Sequence, residues 1–207
     1  MKISTTSLFR LLILLTFLLV LGCAPSLGVR MLVPSLPEQK LDSSKDKDAE
    51  LAPALTGTKV RVSAFTDARA SRAIALIDGR EVAPEGSLGN LVQAGFEQYI
   101  RDAGGRIAVL HGAPVIEGEI AEWRAKITPS FPASDAKASA RLKVSVRDPR
   151  TQFVRYRGTF SGEATATHPF LTESDIQRLI TEAMAGAISA ALADEAFVQQ
   201  LKEAPQG

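Results

Sequence analysis

The cysteine at position 23 is the residue with the most definite chemistry in this chain. It is the only cysteine among 207 residues. It follows two basic residues, Lys2 and Arg10, and an apolar run from Leu11 to Leu21. This run is about half the roughly 20 apolar residues that a membrane-spanning helix needs. A basic end, a short apolar core and a small residue are typical of an export signal, which predicts cleavage before Cys23.

The tetrad Val20-Leu21-Gly22-Cys23 resembles the lipobox of bacterial lipoproteins. The resemblance implies that residues 1–22 are a lipoprotein signal peptide, that the Cys23 sulfur carries a diacylglycerol, and that the new amino end is acylated. Each buried methylene contributes about 0.8 kcal/mol, so that two or more chains bind a membrane firmly. We therefore expect attachment to the membrane through lipid on Cys23. The alternative is an ordinary secreted protein that keeps one cysteine.

The residue after the cysteine and the overall charge indicate which membrane holds the protein and which partners are not expected. Ala24 follows Cys23, and the absence of an aspartate there favours the outer membrane, facing the periplasm, over the inner membrane. Loss of Lys2 and Arg10 leaves 22 of the 24 basic residues against 23 acidic ones. A nearly neutral chain has no electrostatic attraction to nucleic acid, which is not expected as a partner.

Other residues with catalytic chemistry are few. The two histidines, His111 and His168, precede Gly112 and Pro169 and are predicted to be loop residues. No spacing of cysteine, histidine or carboxylate residues matches a metal site, and the sequence has no Gly-x-Ser-x-Gly nucleophile motif. We therefore expect no enzymatic activity, no cofactor and no metal. A hydrolase acting on envelope polymers is the alternative.

Basic side chains on the polar face of the predicted sheet are candidates for partner binding. Five of them project from two neighbouring strands: Arg141, Lys143, Arg147, Arg155 and Arg157. They predict a basic platform for an acidic protein partner or for the phosphates of lipopolysaccharide. The alternative is an ordinary solvated face, on which such residues keep a sheet soluble.

Three further features carry open alternatives. Asp67 and Arg69 follow the first strand and form either a recognition pair at the end of the sheet or a turn with an internal ion pair. The strand Lys59–Phe65, if it lies at an edge, could accept a strand of a partner. Glu117 and Glu119 share one face of a strand, and we expect a solvated rim there rather than a pair of catalytic acids.

Hydrophobic periodicity predicts the elements that carry these residues. Period-2 alternation predicts four strands, with a bulge near Gly118 and a short hairpin around Asp78-Gly79. The strands cover Lys59–Phe65, Pro114–Ile127, Ala138–Asp148 and Val154–Ala166. Helical spacing predicts a helix from Leu88, capped by Ser87 and closed by Gly104-Gly105. A second helix, begun by a capping box of Ser174 and Gln177, extends to Leu192, and Asp194 begins a short final turn.

The order β, α, β, β, β, α predicts an α+β fold. We expect an antiparallel sheet of about four strands with two amphipathic helices on one face. Residues 59–202 form this domain, and residues 23–58 are the lipidated cysteine and a flexible tether, because their charged stretch cannot bury enough apolar area to offset the entropy of ordering. The alternative is that residues 29–36 pack on the domain or add an edge strand.

The whole pattern resembles the YajG-type bacterial lipoproteins. The lipobox, the segment Phe65-Thr66-Asp67-Ala68-Arg69, the helix after Ser87 and the segment Tyr156-Arg157-Gly158-Thr159-Phe160 carry the resemblance, which covers most of residues 59–201. The chain departs from the family pattern in a longer tether and in the extra residues from Pro129 to Asp135. The resemblance implies a location and an architecture, and brings no catalytic residues.

These features together predict a membrane-anchored lipoprotein that faces the periplasm. Its expected role is a binding, scaffold or assembly module whose partner is an envelope protein. The alternative is an auxiliary lipoprotein of a lipid or lipopolysaccharide transport system.

Overall fold

The structure is a computed structural model that describes residues 30–32, 55–77, 80–109 and 112–204. It is an α+β fold, as predicted. The strands are β1 (Arg30–Leu32), β2 (Lys59–Val62), β3 (Thr66–Asp67), β4 (Ala75–Ile77), β5 (Arg80–Pro84), β6 (Arg106–Ile107), β7 (Val115–Thr128), β8 (Ser134–Arg147) and β9 (Val154–His168). The helices are α1 (Leu88–Asp102), α2 (Glu173–Leu192) and α3 (Glu195–Glu203).

The three long strands β7, β8 and β9 form an antiparallel meander. Pairing of β7 with β8 runs from Val115↔Arg147 to Thr128↔Asp135. Pairing of β8 with β9 continues as far as Ser134↔His168. Alternate residues of β8 are buried, in phase with Ala140 and Leu142. The three predicted long strands are thus confirmed.

The other side of β7 is occupied by short parallel strands. β2, β3 and β4 pair with it in turn, at Arg61↔Val115, Thr66↔Glu119 and Ala75↔Ala125. The prediction of about four antiparallel strands was therefore wrong: the sheet is larger and mixed. Parallel neighbours need a long crossover connection, and the chain through β5 and α1 provides it. β3 has only two residues, too few for alternation to reveal it.

β2 lies inside the sheet. β7 pairs with one side of it, and β6 pairs with the other through Lys59↔Arg106. The predicted strand also ends at Val62, before Phe65. The hypothesis that Lys59–Phe65 is an edge open to a partner was wrong, because its backbone groups already have neighbours on both sides.

The predicted hairpin is confirmed by the antiparallel pairing of β4 with β5, at Ala75↔Val82. Its turn residues, Asp78 and Gly79, lie outside the described residues. Beyond β5, the strand β1 adds a parallel edge through Met31↔Ala83. Part of the segment 29–36 is therefore a strand, which is the alternative named above. Leu55 is fully buried, so the packed domain includes residues before Lys59.

The helices cover one face of the sheet, with a third helix, α3, where a short turn was predicted. The Asp194 side chain accepts a hydrogen bond from the Phe197 backbone N–H at 2.7 Å and caps α3. Phe197 and Leu201 of this helix are buried in the core. On the other side of the core, the Phe65 ring stacks on Phe96 of α1, with ring centroids 5.2 Å apart.

Small residues let α2 lie directly against β9. A Cβ on Gly162 would lie 2.1 Å from the carbonyl oxygen of Ala183, and a Cβ on Gly186 would lie 3.4 Å from Gly162 Cα. The indole Nε1 of Trp123 donates to the Ile180 carbonyl at 2.9 Å, which connects β7 to the same helix. The second helix, α2, therefore packs closely on the sheet.

Two local predictions need correction, whereas the cap at Ser87 is confirmed. The capping box of α2 is formed by Thr172 and Asp175 rather than by Ser174 and Gln177. Thr172 is extended and its hydroxyl accepts from the Asp175 N–H, while Ser174 already lies in the first helical turn. Ser and Thr are both preferred N-cap residues, so residue type alone does not decide which of Thr172 and Ser174 begins the helix.

The irregularity of β7 lies between Ile120 and Glu122, not near Gly118 as predicted. It changes which side of the strand faces the core, so that Ile116 and Ile120 are buried before it and Trp123 after it. Gly118 has a different purpose. A Cβ there would lie 2.7 Å from the Phe65 ring, so glycine leaves room for that ring.

Candidate functional site

The face of the meander that points away from the helices, here called the outer face, carries rows of polar side chains across three strands. Two rows follow the strand register: Glu117–Ser145–Arg157 and Glu119–Lys143–Thr159. The predicted basic residues all lie on this face or at its end. Its β7 strand also places a carboxylate within ion-pair distance of each predicted cation of β8, which sequence periodicity alone did not reveal.

A groove of about 760 Å³ crosses the outer face. Its floor is the backbone around Gly118, Val144 and Gly158, where the three strands lie side by side. The side chains and backbone that line it are Ser63, Ala64, Thr66, Glu117, Gly118, Glu119, Lys143, Val144, Ser145, Arg157, Gly158 and Thr159. We call it the outer-face groove.

Four of the five predicted cations form ion pairs with carboxylates of the same domain. Arg147 pairs with Glu117, Lys143 with Glu119 at 3.3 Å and Arg141 with Glu122 at 3.3 Å. Arg155 pairs with Asp148 at 3.0 Å. The outer face is therefore a ladder of alternating charges rather than a uniformly basic surface. In the described part of the chain, Arg157 is exposed and pairs with no carboxylate.

These contacts shift the pKa values of the carboxyl groups. The hydrogen bond from Ser139 lowers the pKa of Glu122 below its usual value, and Arg124 and Arg141 act in the same direction. Backbone N–H groups of Thr151 and Arg150 lower the pKa of Asp148, as does the charge of Arg155. Both carboxylates are therefore charged at neutral pH and act as fixed acceptors, not as proton donors.

The predicted pair Asp67 and Arg69 forms a two-pronged ion pair at the end of β3. Arg69 Nε and Nη2 lie 2.8 and 2.9 Å from the Asp67 carboxylate oxygens. The side chain of Arg69 is only 4% exposed, and its Nη1 donates to the Trp123 carbonyl at 3.2 Å. The hydrogen bonds from Arg69 lower the pKa of Asp67. These are the contacts of a buried structural link between β3 and β7, and a partner-binding role for the pair stays a prediction.

The remaining candidates for chemistry are scattered. Cys23 and His111 lie outside the described residues. His168 is the last residue of β9, so its prediction as a loop residue was wrong; it is exposed, and its Nδ1 lies 2.9 Å from the Phe170 carbonyl oxygen in the segment that follows. Burial and a hydrogen bond to Asp194 raise the pKa of Tyr156 to about 12. Within the described ranges, no group of three or more His, Cys, Asp or Glu side chains could hold a metal ion.

Sequence reasoning missed several residues that line the groove, including Ser63, Thr66 and Thr159. One sequence feature could have indicated the groove. Two of the long strands carry a glycine in their interior, Gly118 in β7 and Gly158 in β9. Interior glycines often mark a place where another group approaches the backbone closely. Without the register of β8 between them, the two glycines could not be placed side by side.

No family model matches the chain, and no curated protein matches its sequence. Among solved structures, protein XCC0632 from Xanthomonas campestris, of the DUF330 family, has a similar fold. It superposes with a TM-score of 0.56 over 83% of this chain and 98% of that one, at 9% identity.

Two further structures are less similar. The PelC dodecamer from Paraburkholderia phytofirmans matches 70% of this chain and 93% of its own at 18% identity and a TM-score of 0.37. Lipoprotein GNA1162 from Neisseria meningitidis matches 60% of this chain and 93% of its own at 11% identity and a TM-score of 0.26. TM-scores this low carry no conclusion. Among the described residues, no helix has the length and apolar character needed to cross a membrane.

Proposed function

We propose that this chain is a non-enzymatic lipoprotein of the bacterial envelope that binds a protein partner in its outer-face groove. Lipid on Cys23 holds it at the outer membrane, facing the periplasm, as in the YajG-type lipoproteins that the sequence resembles. The observation that carries the binding role is the groove itself, an open concavity of about 760 Å³ on the side of the sheet opposite the helices.

The lining of the groove indicates the chemistry of its occupant. Lys143 and Glu119 are exposed over 61% and 49% of their side chains, so their charges remain accessible although they pair with each other. Hydroxyl groups of Ser63, Thr66 and Thr159 add neutral donors and acceptors. Such a surface suits a polar segment of a protein, which it can recognise through hydrogen bonds and alternating charges. A strongly anionic ligand would meet Glu117 and Glu119 as well as the cations.

In-cell photocrosslinking tests this role. A photoreactive amino acid at Ser145, in the middle of the groove, should capture a distinct envelope protein that mass spectrometry identifies. The matched control places the same amino acid at Lys137, on the outer face of the same strand but outside the groove, where no such capture is expected. Absence of capture at Ser145, or equal capture at both positions, would remove the support for binding in the groove.

A further inference from the structure

The outer side of β9 carries no neighbouring strand in the described part of the chain. β9 pairs only with β8, along Val154–His168. Alternate residues of a strand direct their N–H and C=O groups to each side, so a row of backbone donors and acceptors faces outward. Natural proteins usually protect such an edge with proline, a bulge, or a covering loop, since an open edge accepts further strands.

Protection of β9 is confined to its beginning. The register shifts at Arg155, and Arg155 Nη1 donates to the Glu203 carbonyl at 3.4 Å, so the end of α3 lies close to this part of the edge. From Arg157 to His168 the pairing with β8 is regular, and no proline interrupts the strand. The segment Arg157–Glu163 is therefore a continuous stretch of uncovered edge.

The outer-face side chains of this segment are complementary in charge to those of an antiparallel copy of the same segment. Among the described residues Arg157 has no carboxylate partner, and Glu163, which contacts Lys137 at 2.7 Å, is still 60% exposed. An antiparallel copy of β9 with Phe160 opposite Phe160 would place Arg157 opposite Glu163 of the second copy. The twofold symmetry repeats this pair, and Thr159 then faces Ser161 in between.

We propose that β9 pairs with β9 of a second copy of this chain in this antiparallel register. Directly opposite charges stabilise a strand pair, whereas like charges destabilise it. On the helix side, Gly158 would face Gly162 of the second copy, which leaves room beside the two Phe160 rings. A twofold axis perpendicular to the sheet keeps both outer faces on the same side, so that the two outer-face grooves join one continuous surface. Anchoring on one membrane would favour this pairing by raising the effective concentration.

Charge exchange tests the register, with the full chain in detergent and native mass spectrometry as the measurement. We expect R157E alone and E163R alone to weaken the dimer at least about tenfold, because each places like charges opposite each other. An equimolar mixture of the two variants should form the mixed dimer, and R157E/E163R should dimerise as the natural chain does. Lys126→Glu, the same charge change on β7, is the control and should leave the dimer unchanged.

A distance test in the membrane gives an independent readout. Ser161 of the two copies would lie diagonally across the pair, about 7–8 Å apart. Thr165 of the two copies would lie about 34 Å apart, since ten residues of strand separate the opposing positions. A short bis-maleimide should therefore link Ser161→Cys chains and leave Thr165→Cys chains unlinked.

Three results would overturn the pairing: a natural chain that is monomeric in both assays, a dimer unaffected by both charge changes, or equal linking at positions 161 and 165. Circular dichroism of each variant verifies that it is folded. The inference does not depend on the partner in the groove, because crosslinking at Ser145 can fail while β9 still pairs, and the reverse also holds.

Discussion

At the scale of single residues, the contact between Gly162 of β9 and Gly186 of α2 shows how closely helix and sheet approach. The two glycines differ in what surrounds their missing side chains. At Gly162 the position of a Cβ is filled by backbone, 2.1 Å from the Ala183 carbonyl and 2.5 Å from the Ala187 nitrogen. At Gly186 the nearest atom to a Cβ is Gly162 Cα at 3.4 Å, an ordinary van der Waals distance.

Alanine at these two positions should therefore have opposite effects. Gly162→Ala should lower the free energy of unfolding by about 1–3 kcal/mol, because α2 must move away from the sheet to admit the methyl group. Gly186→Ala should be neutral or stabilising by up to about 1 kcal/mol, since alanine favours helix more than glycine does. Urea denaturation of both variants measures the difference. Equal losses in the two variants would mean that the backbone contact does not set the position of α2.

At the scale of elements, the sequence predicted long structures well and short ones poorly. The meander was predictable because strands of 14 and 15 residues repeat their alternation many times. β3 has two residues and β6 has two, too few for any period to appear. The short strands are parallel to β7 because the chain crosses over through α1 before it enters β7. Hydrophobic periodicity contains no information about the path of such a crossover.

The candidate site shows the same division. The cations of β8 and β9 were correctly placed on one face, because every second residue of a strand shares a face. Their neutralisation by glutamates of β7 was not predicted. It depends on the register between β7 and β8 and on the irregularity at Ala121, which brings Glu122 opposite Arg141. An error of three residues in the position of the bulge is enough to hide that pairing.

Deletion of Ala121 should be tolerated, because it turns β7 into a regular strand. Without the extra residue, Ile116, Ile120 and Trp123 are separated by even numbers of positions and all face the core, and Glu122 still lies opposite Arg141. We expect this deletion to keep a cooperative thermal transition. Deletion of Glu119, in the regular part of the same strand, is the matched contrast: it moves either Ile116 or Ile120 to the opposite face and should give a chain that is insoluble or lacks a cooperative transition. Loss of the cooperative transition in the Ala121 deletion would show that the bulge itself is required.

At the scale of the whole molecule, the helices bury one face of the sheet, and in the described part of the chain the other face and the β9 edge carry no further element. The binding module proposed above works at a membrane only if something holds it there. In the described part of the chain no helix can span a membrane. In the proposed function, membrane attachment depends on the acyl chains of Cys23, which lies before the packed domain.

Metabolic labelling with an alkyne fatty acid tests the anchor directly. The natural chain should incorporate the label, and mass spectrometry should show an amino-terminal peptide that begins at Cys23 with the added acyl mass. Cys23→Ser should lose all label, because a hydroxyl does not replace the thiol as the lipid acceptor, while Ser26→Ala should retain it as the matched control. Firm binding to membranes should fall with the label, since it requires two or more acyl chains. A natural chain with a free thiol at position 23, or with another first residue, would exclude the anchor and with it the envelope location proposed for this protein.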